Sequence, residues 1–343
     1  MMTHTIDTTS ARTLSTVYHY LTRLCLACVL LSLAACNSDD SGSTMGSTVD
    51  SAALLSLVKA AGLTGDPSTD RTLPSINDPK AQLGMQLFFT KGMGGDSDSA
   101  CVTCHHPSLG GGDNLSLSIG VGAEIPDLLG PGRFHNSTAT NYDGGPTVPR
   151  NAPTTFNIAI WDQALFHDGR VESLGKTPGA NGDDGLGIRT PDSDFGVADP
   201  NAGATLAAAQ SRFPVTSAEE MRGFIFEADN SNDAVRTSLV DKLTDAGGWE
   251  AEFSAVFGDP MITYDRIAEA IAEYERSQIF VNSPWKAFLK GDKNAISESA
   301  KRGAVKFFTS IEAGGANCVS CHSGDFFTDE QYHVLATPQI GRG

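Results

Sequence analysis

The sequence predicts a mainly α-helical fold made of two similar lobes with long loops, and three observations carry that prediction. One motif occurs twice: Gly84 to Thr90 (GMQLFFT) and Gly303 to Thr309 (GAVKFFT) both read GxxxFFT, and each is followed by a Gly-containing loop and a CxxCH pentad. Repetition of this kind marks one supersecondary unit used twice. Between the copies, Tyr264, Ile267, Ile271 and Tyr274 recur at helical spacing, with Asp265, Glu269, Glu273 and Glu275 assigned to other faces. The 36 Gly and 16 Pro, dense in 109–150 and 176–212 with Asp and Asn, predict extended loops there. Loops of that length shape a pocket or a partner surface, or are surface insertions.

In chain order, the first element lies outside the fold. Arg12 and Arg23 precede the apolar run Leu24 to Ala35, which is too short to span a bilayer of about 30 Å but suits the apolar core of a signal peptide. The run ends Leu33-Ala34-Ala35-Cys36, which resembles the lipobox of bacterial lipoproteins; a plain secretory peptide or a buried helix is the alternative. Residues 1–35 are therefore expected to be a signal peptide, Cys36 the lipidated residue, and 36–52 a flexible polar tether. The expected location is the periplasm, with a lipid anchor in the membrane. Leu54, Leu55, Leu57 and Val58 predict a short helix after the tether, opening a first lobe over 53–285; a second lobe occupies 286–343.

Lys plus Arg is 24 and Asp plus Glu is 41, a formal charge of −17. That balance excludes a nucleic-acid surface, which needs clustered cations to neutralise phosphate. It suits steering of a basic protein partner.

Seven cysteines are present. Export would remove Cys25 and Cys28, and lipidation would occupy Cys36. The remaining four fall in Cys101-Val-Thr-Cys104-His105 and Cys318-Val-Ser-Cys321-His322. CxxCH is the attachment sequence of c-type haem: two thiols one turn apart meet the porphyrin vinyl groups, and the next residue supplies the iron-binding imidazole. A thiol–disulfide CxxC would call for a thioredoxin-like βαβ pattern, which the sequence lacks. A zinc site of four cysteines would leave both histidines unexplained. Two covalent haem c groups and two cytochrome c-like lobes are the expectation, with the paired phenylalanines packing near each haem.

From about Asp78 to its last residue the chain resembles the bacterial di-haem cytochrome c peroxidase family, including its MauG-type protein-oxidising members. The residues that carry the resemblance are Leu83 to Phe89, Cys101 to His105, Arg150 to Thr154 (RNAPT) with Asn157, Phe166 to Arg170 (FHDGR) and Glu220-Met221. Gly291 to Ala295 (GDKNA), Cys318 to His322, Phe327 to Asp329 and Thr337 to Gly341 complete the set. The resemblance implies reduction of hydrogen peroxide, with electrons from a small donor cytochrome c or cupredoxin, and a homodimer as the assembly. Peroxide-dependent oxidation of a protein partner and a non-enzymatic di-haem electron carrier are the alternatives. Splitting peroxide takes two electrons, which is a reason to build two haems into one chain. By resemblance, His105 is the proximal ligand at the peroxidatic iron and His322 that at the electron-entry iron.

Cleavage of the O–O bond also needs a group to move a proton, and a carboxylate above the iron can do so. The family's distal Glu precedes a Met, which points to Glu220, with Glu219 its neighbour and competitor. Ser217 as the N-cap of a helix, with both glutamates in its first turn, is the structural reading of the same residues. His135 is the candidate distal iron ligand and Tyr142 is closer in spacing, while a surface role for His135 is the alternative. Asn151 matches a calcium-binding position, and a structural hydrogen bond would explain it equally.

The chain departs from the family pattern in three places. His167 stands where many members have an inter-haem Trp; a haem propionate bond or plain packing are its two readings. Lys176 and Thr177 occupy the place of a distal Gln. After His322 only 21 residues follow and none is Met, so the second lobe is expected to be incomplete, with an exposed haem-binding face near His322. His106 and His333 receive no role.

Overall fold

A computed structural model of the chain describes residues 48–224, 231–336 and 338. The expected signal peptide 1–35, Cys36 and most of the tether lie outside the described residues, as do most of 337–341. Among the described residues no helix is long and apolar enough to cross a membrane.

Side-chain caps start most of the helices. Asp50, Thr205, Ser231, Thr263, Ser283 and Ser297 each accept a hydrogen bond from a backbone N–H of the first turn that follows. The helices are α1 (Ser51–Ala60), α2 (Pro79–Phe89), α3 (Cys101–Cys104), α4 (Leu206–Gln210) and α5 (Asn232–Ala246). They continue with α6 (Glu250–Phe257), α7 (Tyr264–Arg276), α8 (Pro284–Leu289) and α9 (Glu298–Phe308). Pro opens α2 and α8, where its missing N–H costs nothing.

The core is built on the crossing of α2 and α7. Leu83, Leu87 and Phe88 pack against Ile267, Ile271 and Tyr274, and the Phe88 and Tyr274 rings meet edge to face at 5.1 Å. Contact this close requires Gly84, because a Cβ there would lie 1.8 Å from the Ala270 carbonyl oxygen. Leu239 of α5 and Phe253 of α6 close the same cluster. The opposite side of α7 presents Ala272 to a second cluster, formed by α4 and three short antiparallel strands. These are β1 (Ala164–Leu165), β2 (Val171–Ser173) and β3 (Ile188–Arg189), in the order β1-β2-β3 with Leu165 opposite Val171 and Glu172 opposite Arg189. β3 lies within 176–212, where the composition predicts an extended loop; strands of two or three residues are too short to show alternation.

The predicted helix at 264–276 forms with all four apolar positions buried, but Glu275 departs from expectation. It was placed on a polar face and is 4% exposed. Near its C-terminal end α7 is covered on two sides, so the buried arc is wider than one apolar stripe.

α1 forms as expected and buries Leu54 and Val58. Its first two residues, Ser51 and Ala52, belong to the expected tether 36–52 and are helical instead, and the helix packs on α9 near the other end of the chain. Thr64 and Gly65 donate their N–H groups to Asp325 at 2.9 and 2.6 Å, and Lys286 pairs with Asp66 at 2.6 Å. Around the second pentad, Trp285 stacks on Phe308 at 5.9 Å, and Phe327 joins Trp285 to Phe307. His322 is exposed, and a Cβ on Gly303 would meet nothing within 4 Å.

Candidate active site

The first pentad is one helical turn. Thr103 Oγ accepts the Ala100 N–H at 2.9 Å to start α3, and the His105 N–H closes the turn on the Cys101 carbonyl at 3.0 Å. His105 Nδ1 lies 3.1 Å from the Gly111 carbonyl. A carbonyl can only accept, so Nδ1 carries the proton and Nε2 keeps its lone pair. Burial lowers the His105 pKa and favours that neutral form. Both thiols are free, and burial raises their pKa values.

Cys101, Cys104 and His105 open onto a cavity of about 1070 Å³, walled largely by apolar side chains such as Ile158, Leu165, Val215 and Ile271. Glu220, Glu275 and Arg170 also line it. The segment just after the second pentad also lines it: Phe326, Thr328, Tyr332 and His333 reach the cavity, and Phe326 meets Trp161 edge to face at 5.2 Å. His333 is bonded to Asp329 at 2.8 Å.

Glu220 is carried on a single π turn, Ala218–Arg222, in which the Ser217 carbonyl accepts from both Met221 and Arg222 at 3.2 and 2.9 Å. Ser217 stands at the N-cap with Glu219 and Glu220 in the first turn, as expected, but the element is a π turn and the Ser217 hydroxyl bonds the Glu219 carboxylate at 3.3 Å rather than a backbone N–H. Three successive carbonyls of the turn are held from outside. Val121 N–H bonds that of Glu219 at 3.3 Å, Ser99 Oγ that of Glu220 at 3.2 Å, and Gly95 N–H that of Met221 at 2.8 Å. The loop Gly94 to Ser99 runs directly into α3, so the acid and the pentad share one support. Glu219 is exposed and lies off the cavity, which separates the two sequence candidates. Burial raises the Glu220 pKa to about 7; Arg170 opposes the shift and Glu219 adds to it. π turns of this kind are frequent at functional sites.

Glu275 is the group that sequence reasoning missed. It lines the cavity, burial raises its pKa to about 8, and its Oε2 has no hydrogen-bond partner. Its folded pKa exceeds the ordinary 4.5, so between these two values the native state holds a proton that the unfolded chain has released. Stability of the haem-free protein is therefore expected to fall as pH rises from about 4.5 to about 8. Glu220 adds to the same fall up to about pH 7, so Glu275→Gln should reduce rather than abolish the loss between pH 5 and pH 8 in urea titrations; an unchanged loss would assign it to Glu220 or another group.

The second pentad repeats the histidine arrangement. His322 Nδ1 lies 3.1 Å from the Phe327 carbonyl, again leaving Nε2 as the available nitrogen. Cys318 and Cys321 are free and half-buried.

The remaining sequence candidates separate. His135 is not among the cavity-lining residues: it is 8% exposed, Nδ1 lies 2.9 Å from the Gly145 carbonyl, and its ring meets Tyr142 at 5.0 Å. A bridge between Ala123 and His135 folds the loop back on itself there. Asn151 lines the cavity and donates its amide to the Leu115 carbonyl at 2.5 Å, the structural bond anticipated as its alternative role. His167 is exposed at the cavity rim. His106 caps a short turn by accepting the Ser108 N–H.

Residues 78–294 match the di-haem cytochrome c peroxidase family. The chain belongs to that family. Among curated relatives, the methylamine utilization protein MauG of Methylophilus methylotrophus is 30% identical, over 77% of this chain and 58% of its own length. The cytochrome c551 peroxidase of Nitrosomonas europaea is 26% identical over 76% of this chain and 56% of its own length. The chain thus spans a little over half the length of these relatives. Among solved structures, the diheme peroxidase BthA of Burkholderia thailandensis is 19% identical with a TM-score of 0.47, covering 78% of this chain and 53% of that one.

The di-haem family implies haem c, and the residues present fit it. Each pentad offers two free thiols and a histidine with its Nδ1 committed to a backbone carbonyl. The first also faces a cavity whose buried, unpartnered Glu275 oxygen and apolar walls suit a large, mostly apolar group.

Proposed function

We propose that this chain holds two covalent haem c groups, at Cys101, Cys104 and His105 and at Cys318, Cys321 and His322. It reduces hydrogen peroxide in the first cavity with electrons from a small periplasmic cytochrome c or cupredoxin. The observation that carries this reading is that Glu220 opens into the same cavity as the first pentad. A bound haem supplies an iron that exchanges electrons one at a time. The chain's own residues do the rest. His105 presents Nε2 while Gly111 fixes the ring, Glu220 accepts and returns the peroxide proton, and the apolar walls exclude water. Cys36 anchors the protein to the membrane through lipid. Peroxide-driven oxidation of a protein partner uses the same cavity and is favoured by the identity to MauG.

Two variants test the haem assignment. Cys101→Ala with Cys104→Ala, and Cys318→Ala with Cys321→Ala, should each leave one haem per chain by pyridine haemochrome assay against two in the parent. The first pair should also abolish peroxide consumption with a reduced cytochrome c donor. Two haems with neither peroxide loss nor donor oxidation in the parent would leave only the electron-carrier reading.

A further inference from the structure

Arg133 is a buried cation that hydrogen-bonds no carboxylate, although the charges of Asp98, Asp113 and Asp127 act on it from nearby. It is 2% exposed, in the Gly-rich loop 109–150. Nε donates to the Ile119 carbonyl at 2.7 Å and Nη2 to that of Gly120 at 2.6 Å, while Nη1 donates to those of Pro126 and Leu128 at 2.9 and 3.0 Å. Among the described residues its hydrogen-bond partners are backbone carbonyls alone. Burying a charge in this way is costly, so the guanidinium fixes these carbonyls where a neutral side chain could not.

What lies on the other side of 119–121 is the glutamate turn. A Cβ on Gly120 would stand 2.3 Å from the Glu219 carbonyl oxygen, 2.4 Å from that of Glu220 and 2.8 Å from the Glu220 Cα. Val121 N–H bonds the Glu219 carbonyl next to this contact. The turn therefore rests between two supports. Gly95 and Ser99 form one, tied covalently to α3; Gly120 and Val121 form the other, tied by Arg133.

We propose that Arg133 is the positioning residue for Glu220. It holds the Ile119 and Gly120 carbonyls so that Gly120 and Val121 seat the π turn and aim the carboxyl into the cavity. It acts through Gly120 and touches no reacting atom. The charged and titratable groups that face Glu220 itself are Arg170 from the 166–170 loop, Glu219 on its own turn and Cys104 of α3. The inference rests on the assignment of Glu220 as the peroxide acid–base.

The test compares Arg133→Met, Arg133→Lys and Gly120→Ala with the parent, as haem-loaded and haem-free full chains. The readouts are haem content, kcat and KM for peroxide against pH, and the infrared carbonyl band of protonated Glu220, assigned by its absence in Glu220→Gln. Arg133→Met and Gly120→Ala should keep both haems and lose about ten- to a hundredfold in kcat. Their infrared midpoint should move down from about 7, because the carboxyl is less enclosed. Arg133→Lys should recover part of both effects. If Arg133→Met fails to fold, Gly120→Ala disturbs the same seat and decides. Unchanged kcat and infrared midpoint in variants that retain haem overturn the proposal. Normal turnover in Glu220→Gln would instead overturn the Glu220 assignment, and the haem-free infrared midpoint would still decide the role of Arg133.

Discussion

Glu220→Gln lowers peroxide turnover by about 10²- to 10⁴-fold at pH 7, the range set by loss of a positioned acid–base. Haem content should stay at the parent's value, because the amide keeps the shape of the side chain and the turn is held through backbone carbonyls. The sign of the pH dependence follows from the elevated pKa. To accept a proton from peroxide the carboxyl must be ionised, so the parent's rate should fall about tenfold per pH unit below about 7 and level off above it. Peroxide is neutral throughout this range, so the limb belongs to the protein. In Glu220→Gln the residual rate should be flat across the same interval. Stopped-flow measurement of peroxide consumption from pH 5 to pH 9 checks both claims, and a variant that keeps the sloping acid limb would move the role to another group, Glu275 first.

How much of this site is legible in the sequence depends on whether the chemistry dictates local spacing. The pentads are legible because haem attachment requires two thiols and a histidine within five residues, and no tertiary contact is needed to see them. Glu220 is legible only through the family resemblance; the residues around it read equally as a helix start, and the π turn that replaces that helix depends on donors from 95–99 and 121. Glu275 was misplaced because a periodicity argument assigns one buried stripe to α7, whereas the helix is covered by α2 on one side and by the cavity and α4 on the other. Arg133 carries no signal at all. A lone arginine in a Gly- and Pro-rich loop reads as solvated, and its four partners are carbonyls that any sequence would offer. The docking of α1 on α9 is likewise invisible, since Asp325 and the N–H groups of Thr64 and Gly65 are brought together only by the fold.

The internal repeat allows a sharper experiment on the fold, because the same glycine stands in two different surroundings. Gly84→Ala should destabilise the protein by about 3 kcal/mol or more. A helical Gly→Ala change by itself favours the helix by about 0.5–1 kcal/mol, so the sign is decided by the contact. The new methyl would sit 1.8 Å from the Ala270 oxygen and 2.4 Å from its carbon, and both belong to backbone that cannot rotate away. α2 and α7 must separate instead, loosening the packing of Leu83, Leu87 and Phe88 on Ile271 and Tyr274. That movement also displaces the cavity wall that Ile271 and Glu275 form, so haem retention should fall with stability. Gly303 occupies the same place in GxxxFFT, but a Cβ there meets nothing within 4 Å. Gly303→Ala should therefore raise stability by about 0.5–1 kcal/mol, the bare helical preference. For a chain of this size about 1 kcal/mol moves the melting temperature by about 2–4 °C, so calorimetry should resolve shifts of opposite sign. Equal losses in both variants would show that the Gly303 face of α9 is covered in solution as closely as Gly84 is. A gain in both would show instead that α2 and α7 do not meet at Ala270.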